Sequence, residues 1–109
     1  MDQIAIELEA RDLAANRLRS WWVEAGPDLF GVWIATVHFG RIGTAGRAIR
    51  HNFNSETDAR SFVRSGLRRR QTAKRRIGVP YRLIEASPDA VPLLEMVGLT
   101  AATSSLERS

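Results

Sequence analysis

The side chains best suited to chemistry in this sequence are two histidines, His38 and His51. An imidazole can ligate a metal ion or act as an acid or base near neutral pH. The chain contains no cysteine, which excludes disulfides, thiolate metal sites and thiol catalysis. Two histidines alone form no recognisable metal-ligand spacing, and a serine–histidine–aspartate triad has no support beyond the presence of those residue types. We therefore expect a protein that is not an enzyme and that holds no metal or cofactor.

A second chemical candidate is the glycine-rich segment at residues 40–46, GRIGTAG. A loop of this composition could cradle a phosphate group. A P-loop, however, ends in Gly-Lys followed by Ser or Thr, whereas Arg47 and Ala48 follow the last glycine here. The dinucleotide-binding fingerprint requires a helix next, and a strand pattern follows instead. The segment is therefore typical of a hairpin turn, where glycine tolerates a positive φ.

Positive charge is concentrated in one part of the chain. The 109 residues include 16 Lys and Arg and 12 Asp and Glu, which gives a net charge of +4. Residues 41–82 hold 12 of the cations and 2 of the anions, a net +10, so the remainder carries −6. A basic half of this kind is typical of a protein that binds a polyanion. A solvated helix face that pairs with the acidic remainder is the alternative reading of the same charge pattern.

Length and composition indicate a single globular domain. Hydrophobic residues make up 44% of the chain and charged residues 26%, which fits a folded domain rather than a disordered segment. Apolar runs fall well short of the ~20 residues that span a bilayer, and the N-terminus lacks the features of a signal peptide. We therefore expect a soluble cytoplasmic protein with no membrane partner.

The hydrophobic pattern predicts four strands ahead of a helix. Residues 3–9 alternate between apolar and polar, residues 10–18 are predicted to be a connection, and residues 19–24 form a second strand. Residues 32–39 are apolar on both faces, which predicts an interior strand, and residues 47–53 return after the glycine turn. Because successive strand residues point to opposite sides, one residue of the adjacent pair Trp21 and Trp22 is expected to be exposed.

One long amphipathic helix is predicted from its N-cap at Ser55 to Ile77, before Gly78 and Pro80. Its apolar stripe consists of Ala59, Phe62, Val63, Gly66, Leu67, Ala73 and Ile77. Residues 81–85 could add a closing strand. The predicted fold class is α+β, an antiparallel sheet of four or five strands with one long helix packed across it. We assign residues 1–85 to this domain and residues 86–109 to a partly ordered C-terminal extension.

Two segments, DLFGVW at residues 28–33 and FGRIGTAGR at residues 39–47, resemble the WGR domain. That family is named for a Trp-Gly-Arg tripeptide and occurs in DNA-damage-dependent poly(ADP-ribose) polymerases and in stand-alone or fused bacterial modules. The resemblance extends over residues 5–85, including residues 12–22, residues 53–62 and Tyr81. It implies a bacterial stand-alone binding module, because 109 residues leave no room for the catalytic domain of the polymerases.

The resemblance also implies which residues contact nucleic acid. In the polymerases the family Trp stacks on the sugar at a DNA 5′ end, and its counterpart here is Phe39, which has less aromatic area and no indole N–H. The family Arg corresponds to Arg41, which in those enzymes helps to handle the break end. The candidate nucleic-acid contacts are Asn16, Phe39, Arg41, Arg47, Lys74, Arg75, Arg76 and Tyr81.

Several of these residues have a structural alternative. Phe39 shares strand parity with Trp33, so it is either a surface stacking residue or a core residue. Arg41 either contacts nucleic acid or pins the hairpin, and Asn16 either contacts nucleic acid or bonds its own turn. Tyr81 is either a phosphate contact or a half-buried sheet residue. The sequence leaves both interpretations open at each position.

The leading functional hypothesis is a module that binds DNA without sequence specificity and prefers ends or nicks. The basic half would neutralise phosphates, with residues 74–76 as a phosphate patch or, alternatively, a solvated helix end. The second hypothesis is a protein–protein interaction module in a bacterial complex without direct DNA contact. In that case the exposed tryptophan of the pair, or residues 88–97, would meet the protein partner.

Overall fold

The structure is a computed structural model, and it describes residues 3–99 with every side chain in that range except that of Arg76. The strands are β1 (Ile4–Asp12), β2 (Arg17–Pro27), β3 (Trp33–Arg41), β4 (Arg47–Phe53) and β5 (Arg82–Ala86). The helices are α1 (Glu56–Gln71), α2 (Ala73–Ile77) and α3 (Val91–Val97). A sheet with a helix packed against it confirms the predicted α+β class.

The strands form one antiparallel sheet in the order β4-β3-β2-β1-β5. Five strands agree with the predicted four or five, and β3 lies in the interior of the sheet as its two apolar faces predicted. The connection predicted at residues 10–18 is wrong, because β1 and β2 stay paired as far as Asp12 and Arg17 and leave only residues 13–16 for the turn. Cross-strand pairing here overrides the weak strand propensity of the local sequence.

The hydrophobic core lies between one face of the sheet and the helices. Alternate residues of β1, Ile4, Ile6 and Leu8, are almost completely buried, since successive side chains point to opposite faces. Helix α1 adds Val63 and Leu67 to the same cluster. Strand β2 contributes Trp21 and Val23, and α3 contributes Leu93, Leu94 and Val97. Helix α3 therefore packs on the same core as the sheet.

The predicted single long helix is two helices. Helix α1 begins as expected, with the Ser55 hydroxyl accepting a hydrogen bond from the Asp58 N–H at 3.1 Å. It ends after 16 residues, at Thr72, whose hydroxyl donates to the Arg69 carbonyl at 3.2 Å. Such side-chain bonds to the backbone compete with continued helix. Helix α2 then runs to Gly78, which adopts a φ of 83° and ends it where the sequence predicted.

The two adjacent tryptophans separate as predicted, with Trp21 buried and Trp22 37% exposed. Trp22 stacks on His38 with ring centroids 4.1 Å apart. Trp21 faces α1, where a Cβ added at Gly66 would lie only 2.9 Å from Trp21 Cζ2. A glycine at this point of the apolar stripe therefore lets the helix approach the sheet closely.

Candidate nucleic-acid interface

An open cavity of about 540 Å³ lies at the end of the sheet where the β1–β2 turn meets the end of β3. Tyr81, the residue before β5, and Arg70 of α1 complete its lining. The lining residues are Ala15, Asn16, Arg17, Leu18, Arg19, Ser20, Phe39, Gly40, Arg41, Arg70 and Tyr81. We refer to this cavity as the basic cleft.

The lining of the basic cleft carries positive charge only. Its lining contains four arginines, and none of the described residues that form it is acidic. The planar guanidinium group of arginine matches the geometry of a phosphate or carboxylate and remains charged at any physiological pH. Walls of one sign around a concave site focus the field on a ligand of opposite sign. The cleft is therefore suited to an anion.

Arg41 is oriented by the turn on the opposite side of the cleft. Its Nη2 donates a hydrogen bond of 2.8 Å to Oδ1 of Asn16. Asn16 occupies the tip of the β1–β2 turn with a φ of 55°, a conformation that asparagine tolerates better than most residues. This bond links the guanidinium, which has five N–H donors, to the turn, while the side chain remains exposed. The turn therefore helps to orient Arg41.

The two aromatic residues of the cleft are half-buried. Phe39 lies opposite Trp21 in the β2–β3 ladder and packs against the hydrophobic core, yet it also lines the cleft. Tyr81 likewise contacts the core and lines the cleft. The core thus supports the Phe39 ring, and the ring also forms part of the cleft wall.

The glycine-rich turn holds the two strands of the β3–β4 hairpin in direct backbone contact. A Cβ added at Gly40 would lie 2.7 Å from Gly46 Cα, and one added at Gly46 would collide with the Phe39 carbonyl oxygen. Gly46 also has a φ of 64°, which other residues rarely adopt. Thr44 closes the turn, since its hydroxyl donates to the Arg41 carbonyl at 2.7 Å. The hairpin interpretation of this segment is confirmed, and its backbone supports Phe39 and Arg41.

The basic surface continues beyond the cleft toward α2. Arg70 lies with its guanidinium carbon 4.8 Å from the centre of the Trp21 ring, within the range of a cation–π interaction. Arg19, Arg70 and Tyr81 also line a neighbouring cavity of about 190 Å³. That cavity is completed by Arg69, Ala73 and Ile77. The cleft and α2 therefore share one continuous surface.

The structure brings four of the eight predicted contacts together, since Asn16, Phe39, Arg41 and Tyr81 line the basic cleft. Arg47 is exposed at the start of β4, opposite Phe39 in the β3–β4 ladder, but it does not line the cleft.

The predicted patch at residues 74–76 lies on α2. Lys74 and Arg75 are exposed there and do not line the cleft. The side chain of Arg76 lies outside the part of the chain that the structure describes.

Three arginines of the cleft were missed in the sequence, namely Arg17, Arg19 and Arg70. Two of them precede the basic segment 41–82 in the chain, so a count of charges could not reveal them. Strand parity could have done so, because Arg17 and Arg19 lie on the same face of β2 as Trp21. The position of Arg70 depends on where α1 crosses the sheet, which the sequence does not specify.

The two histidines lie outside the basic cleft. His38 Nε2 is 3.8 Å from Glu24 Oε1, and His51 packs against Phe62 with ring centroids 4.5 Å apart. Within residues 3–99, no three His, Asp or Glu side chains are grouped so that they could hold a metal ion. No helix in this range is sufficiently long and apolar to cross a membrane.

The model of a family described as the WGR domain matches residues 5–75. This range extends from β1 into α2 and includes every residue of the basic cleft except Tyr81. No curated protein matches the chain.

Proposed function

Because the chain belongs to the WGR domain family, we propose that it is a DNA-binding module that prefers ends or nicks and does not read base sequence. WGR domains serve as nucleic-acid-binding modules in proteins related to the poly(ADP-ribose) polymerases. The observation that carries the proposal is the basic cleft, which combines four arginines with two half-buried aromatic rings and lacks acidic residues in its lining.

The chemistry of the cleft suits a terminal nucleotide. Its volume of about 540 Å³ falls in the range of pockets that hold one small ligand, so one terminal nucleotide would occupy it while phosphates of the adjoining duplex meet its exposed arginines. Arg41, held by Asn16, would meet a terminal phosphate, and the ring of Phe39 would lie against the sugar that a break exposes. Intact duplex offers phosphates but no free terminal sugar, so it would use only the arginines. Phosphate contacts of this kind carry no sequence information.

The cleft would bind DNA without catalysing a reaction. Its polar groups are mainly guanidinium donors, which stay protonated and cannot accept a proton. Such groups bind and orient an anion. The role of the site would therefore be to hold a DNA end for another component.

The test compares two forms of one labelled DNA. A short duplex closed at both ends by hairpin loops is used either intact or with a single nick, and binding is followed by fluorescence anisotropy. The wild type should bind the nicked form more tightly. Arg41→Ala should remove the difference while leaving weak, salt-sensitive binding to both forms. Arg50→Ala, an exposed arginine of β4 outside the cleft, is the matched control and should keep the preference.

Two results would contradict the proposal. Equal binding of the wild type to intact and nicked DNA would refute the proposed preference for breaks but would still support DNA binding. No binding even at ~50 mM salt, where electrostatic contacts are strong, would eliminate DNA binding altogether.

A second candidate function is a protein–protein interaction module without DNA contact. The observation in its favour is the exposed Trp22 on the sheet face opposite the helices, since aromatic residues are enriched in protein interfaces. Failure of DNA binding at low salt, combined with an intact fold, would favour this candidate over the first.

A further inference from the structure

The β2–β3 loop presents an apolar knob, formed by Leu29 and Phe30, at the end of the sheet opposite the basic cleft. Leu29 is 99% exposed and Phe30 is 88% exposed. Single exposed apolar residues are ordinary on protein surfaces, whereas adjacent ones that protrude together indicate an interaction site. Val32, at the base of the same loop, is also exposed at 40%.

The loop that carries the apolar knob has a defined conformation. Oδ1 of Asp28 accepts hydrogen bonds from the N–H groups of Phe30 at 2.8 Å and Val32 at 2.9 Å. The Asp28 N–H donates to the Val32 carbonyl at 2.8 Å, and Gly31 supplies a φ of 81°. A preorganised loop loses little conformational entropy when it binds. The exposure of the knob is thus a property of an ordered turn.

A second feature, the apolar pocket, lies between α1 and the strands β3 and β4. It has a volume of about 290 Å³, and its apolar lining includes Trp21, Val37, Ile49 and Phe62. Ile49 is 41% exposed, so the pocket opens to the surface. Arg69 and Arg70 also contribute to its lining.

We propose that the apolar knob of one copy of this chain inserts into the apolar pocket of a second copy. A closed apolar cavity of about 150 Å³ accommodates benzene, so a volume of 290 Å³ is sufficient for the Phe30 ring with part of Leu29. Charge also favours the contact, because Asp28 adjoins the knob while Arg69 and Arg70 belong to the pocket. The second carboxylate oxygen of Asp28, Oδ2, makes none of the hydrogen bonds that hold the loop.

The surroundings of the apolar knob argue against an anionic partner. Residues 26–32 contain one acidic residue, Asp28, and no Lys or Arg. A nucleic acid or an anionic membrane would therefore find no cation in the loop. A pocket lined by apolar side chains and arginine fits this loop better than either.

The contact joins two different surfaces, so it is heterologous and each copy uses its knob once and its pocket once. The pocket shares Arg70 with the basic cleft. A second copy would therefore sit directly beside the cleft of the first. This inference does not depend on the proposed DNA binding.

Sedimentation velocity over a range of protein concentrations tests the contact. The average mass of the wild type should rise above that of a monomer as concentration increases. The knob variant Leu29→Ser/Phe30→Ser and the pocket variant Ile49→Asp should each remain monomeric. An equimolar mixture of the two variants should form a heterodimer and nothing larger, because one supplies the intact pocket and the other the intact knob.

Two further variants control for loss of any exposed leucine and for misfolding of the pocket variant. Leu13→Ser removes another exposed leucine, at the β1–β2 turn and 80% exposed, and should associate like the wild type. If Ile49→Asp fails to fold, Ser65→Arg replaces it, since Ser65 is exposed and also lines the pocket.

Three results would overturn the proposal. A wild type that remains monomeric at all concentrations shows that the knob does not serve a second copy. Association that the knob variant does not reduce places the contact elsewhere. Monomeric behaviour of the mixed variants, with an associating wild type, indicates a symmetric contact instead of a head-to-tail one.

Discussion

Replacing Arg17 and Arg19 together by glutamine should roughly halve the salt dependence of DNA binding. Four arginines line the basic cleft. If each neutralises one phosphate, the slope of log K against log salt is about −3.6, and the double variant should show about −1.8. Both side chains are exposed, so the change should alter the free energy of unfolding by less than ~0.5 kcal/mol.

The slope converts into affinities that are simple to measure. Between about 50 and 200 mM salt the wild type should lose about 150-fold in affinity, and the double variant only about 12-fold. The two proteins should therefore differ most at low salt, where the missing phosphate contacts count most. A measurement at a single salt concentration would not separate the contribution of the phosphate contacts from the rest of the affinity.

The assay is fluorescence anisotropy with a labelled blunt duplex at a series of salt concentrations. The control is Arg50→Gln/Arg68→Gln, which removes the same charge from exposed positions on β4 and α1 outside the cleft. A third variant, Lys74→Gln/Arg75→Gln, tests the exposed cations of α2. The control should retain the wild-type slope.

One pattern of results would refute the reasoning. If the Arg17/Arg19 variant keeps the wild-type slope while the α2 variant lowers it, phosphates lie along α2 and the basic cleft is not the binding surface. If the control lowers the slope as much as the cleft variant does, binding follows net charge alone and has no defined site.

Three other perturbations test the fold and the aromatic wall. Leu67→Ala should lower the free energy of unfolding in a urea titration by about 2–5 kcal/mol, because Leu67 is completely buried. The change Arg68→Ala at an exposed position should stay within ~0.5 kcal/mol, and equal urea midpoints would mean that Leu67 does not face the core. Gly46→Ala should lower the melting temperature more than Gly43→Ala, because the Gly43 variant loses only the ~1–2 kcal/mol that a left-handed conformation costs a residue with a side chain. Equal losses of melting temperature would contradict the backbone contact at Gly46. Phe39→Trp should bind nicked DNA more tightly, by up to ~1–3 kcal/mol, unless the core rejects the larger ring and thermal stability falls without a gain in affinity.

Local rules in the sequence predicted most of the fold. Alternating apolar residues located the strands, the Ser55 N-cap located the start of α1, and glycines located the β3–β4 turn. These features act over a few residues, so their physics is contained in the local sequence. The break at Thr72 was missed because threonine hydroxyls also bond preceding carbonyls within continuous helices, so the residue type alone does not mark a helix end.

The cleft was only partly predictable. Arg41 and Phe39 follow from a motif, but Arg19 becomes their neighbour only through the pairing register of β2 with β3, in which Arg19 faces Arg41. Arg70 reaches the cleft because α1 crosses the sheet above Trp21. The strand register and the angle at which α1 crosses the sheet result from tertiary packing. A count of charges along the chain contains no information on either.

The backbone contact between Gly40 and Gly46 makes the shape of the β3–β4 hairpin independent of the side chains that project from it. Since main chain holds main chain at the hairpin, the path of β3 does not require a particular side chain at position 41. A lineage could therefore exchange the group that projects from this hairpin one mutation at a time, without losing the fold between steps. The two glycines have no such freedom, because any larger residue would force the strands apart. Evolution of ligand preference in this hairpin would then run through its projecting side chains while its turn stayed fixed.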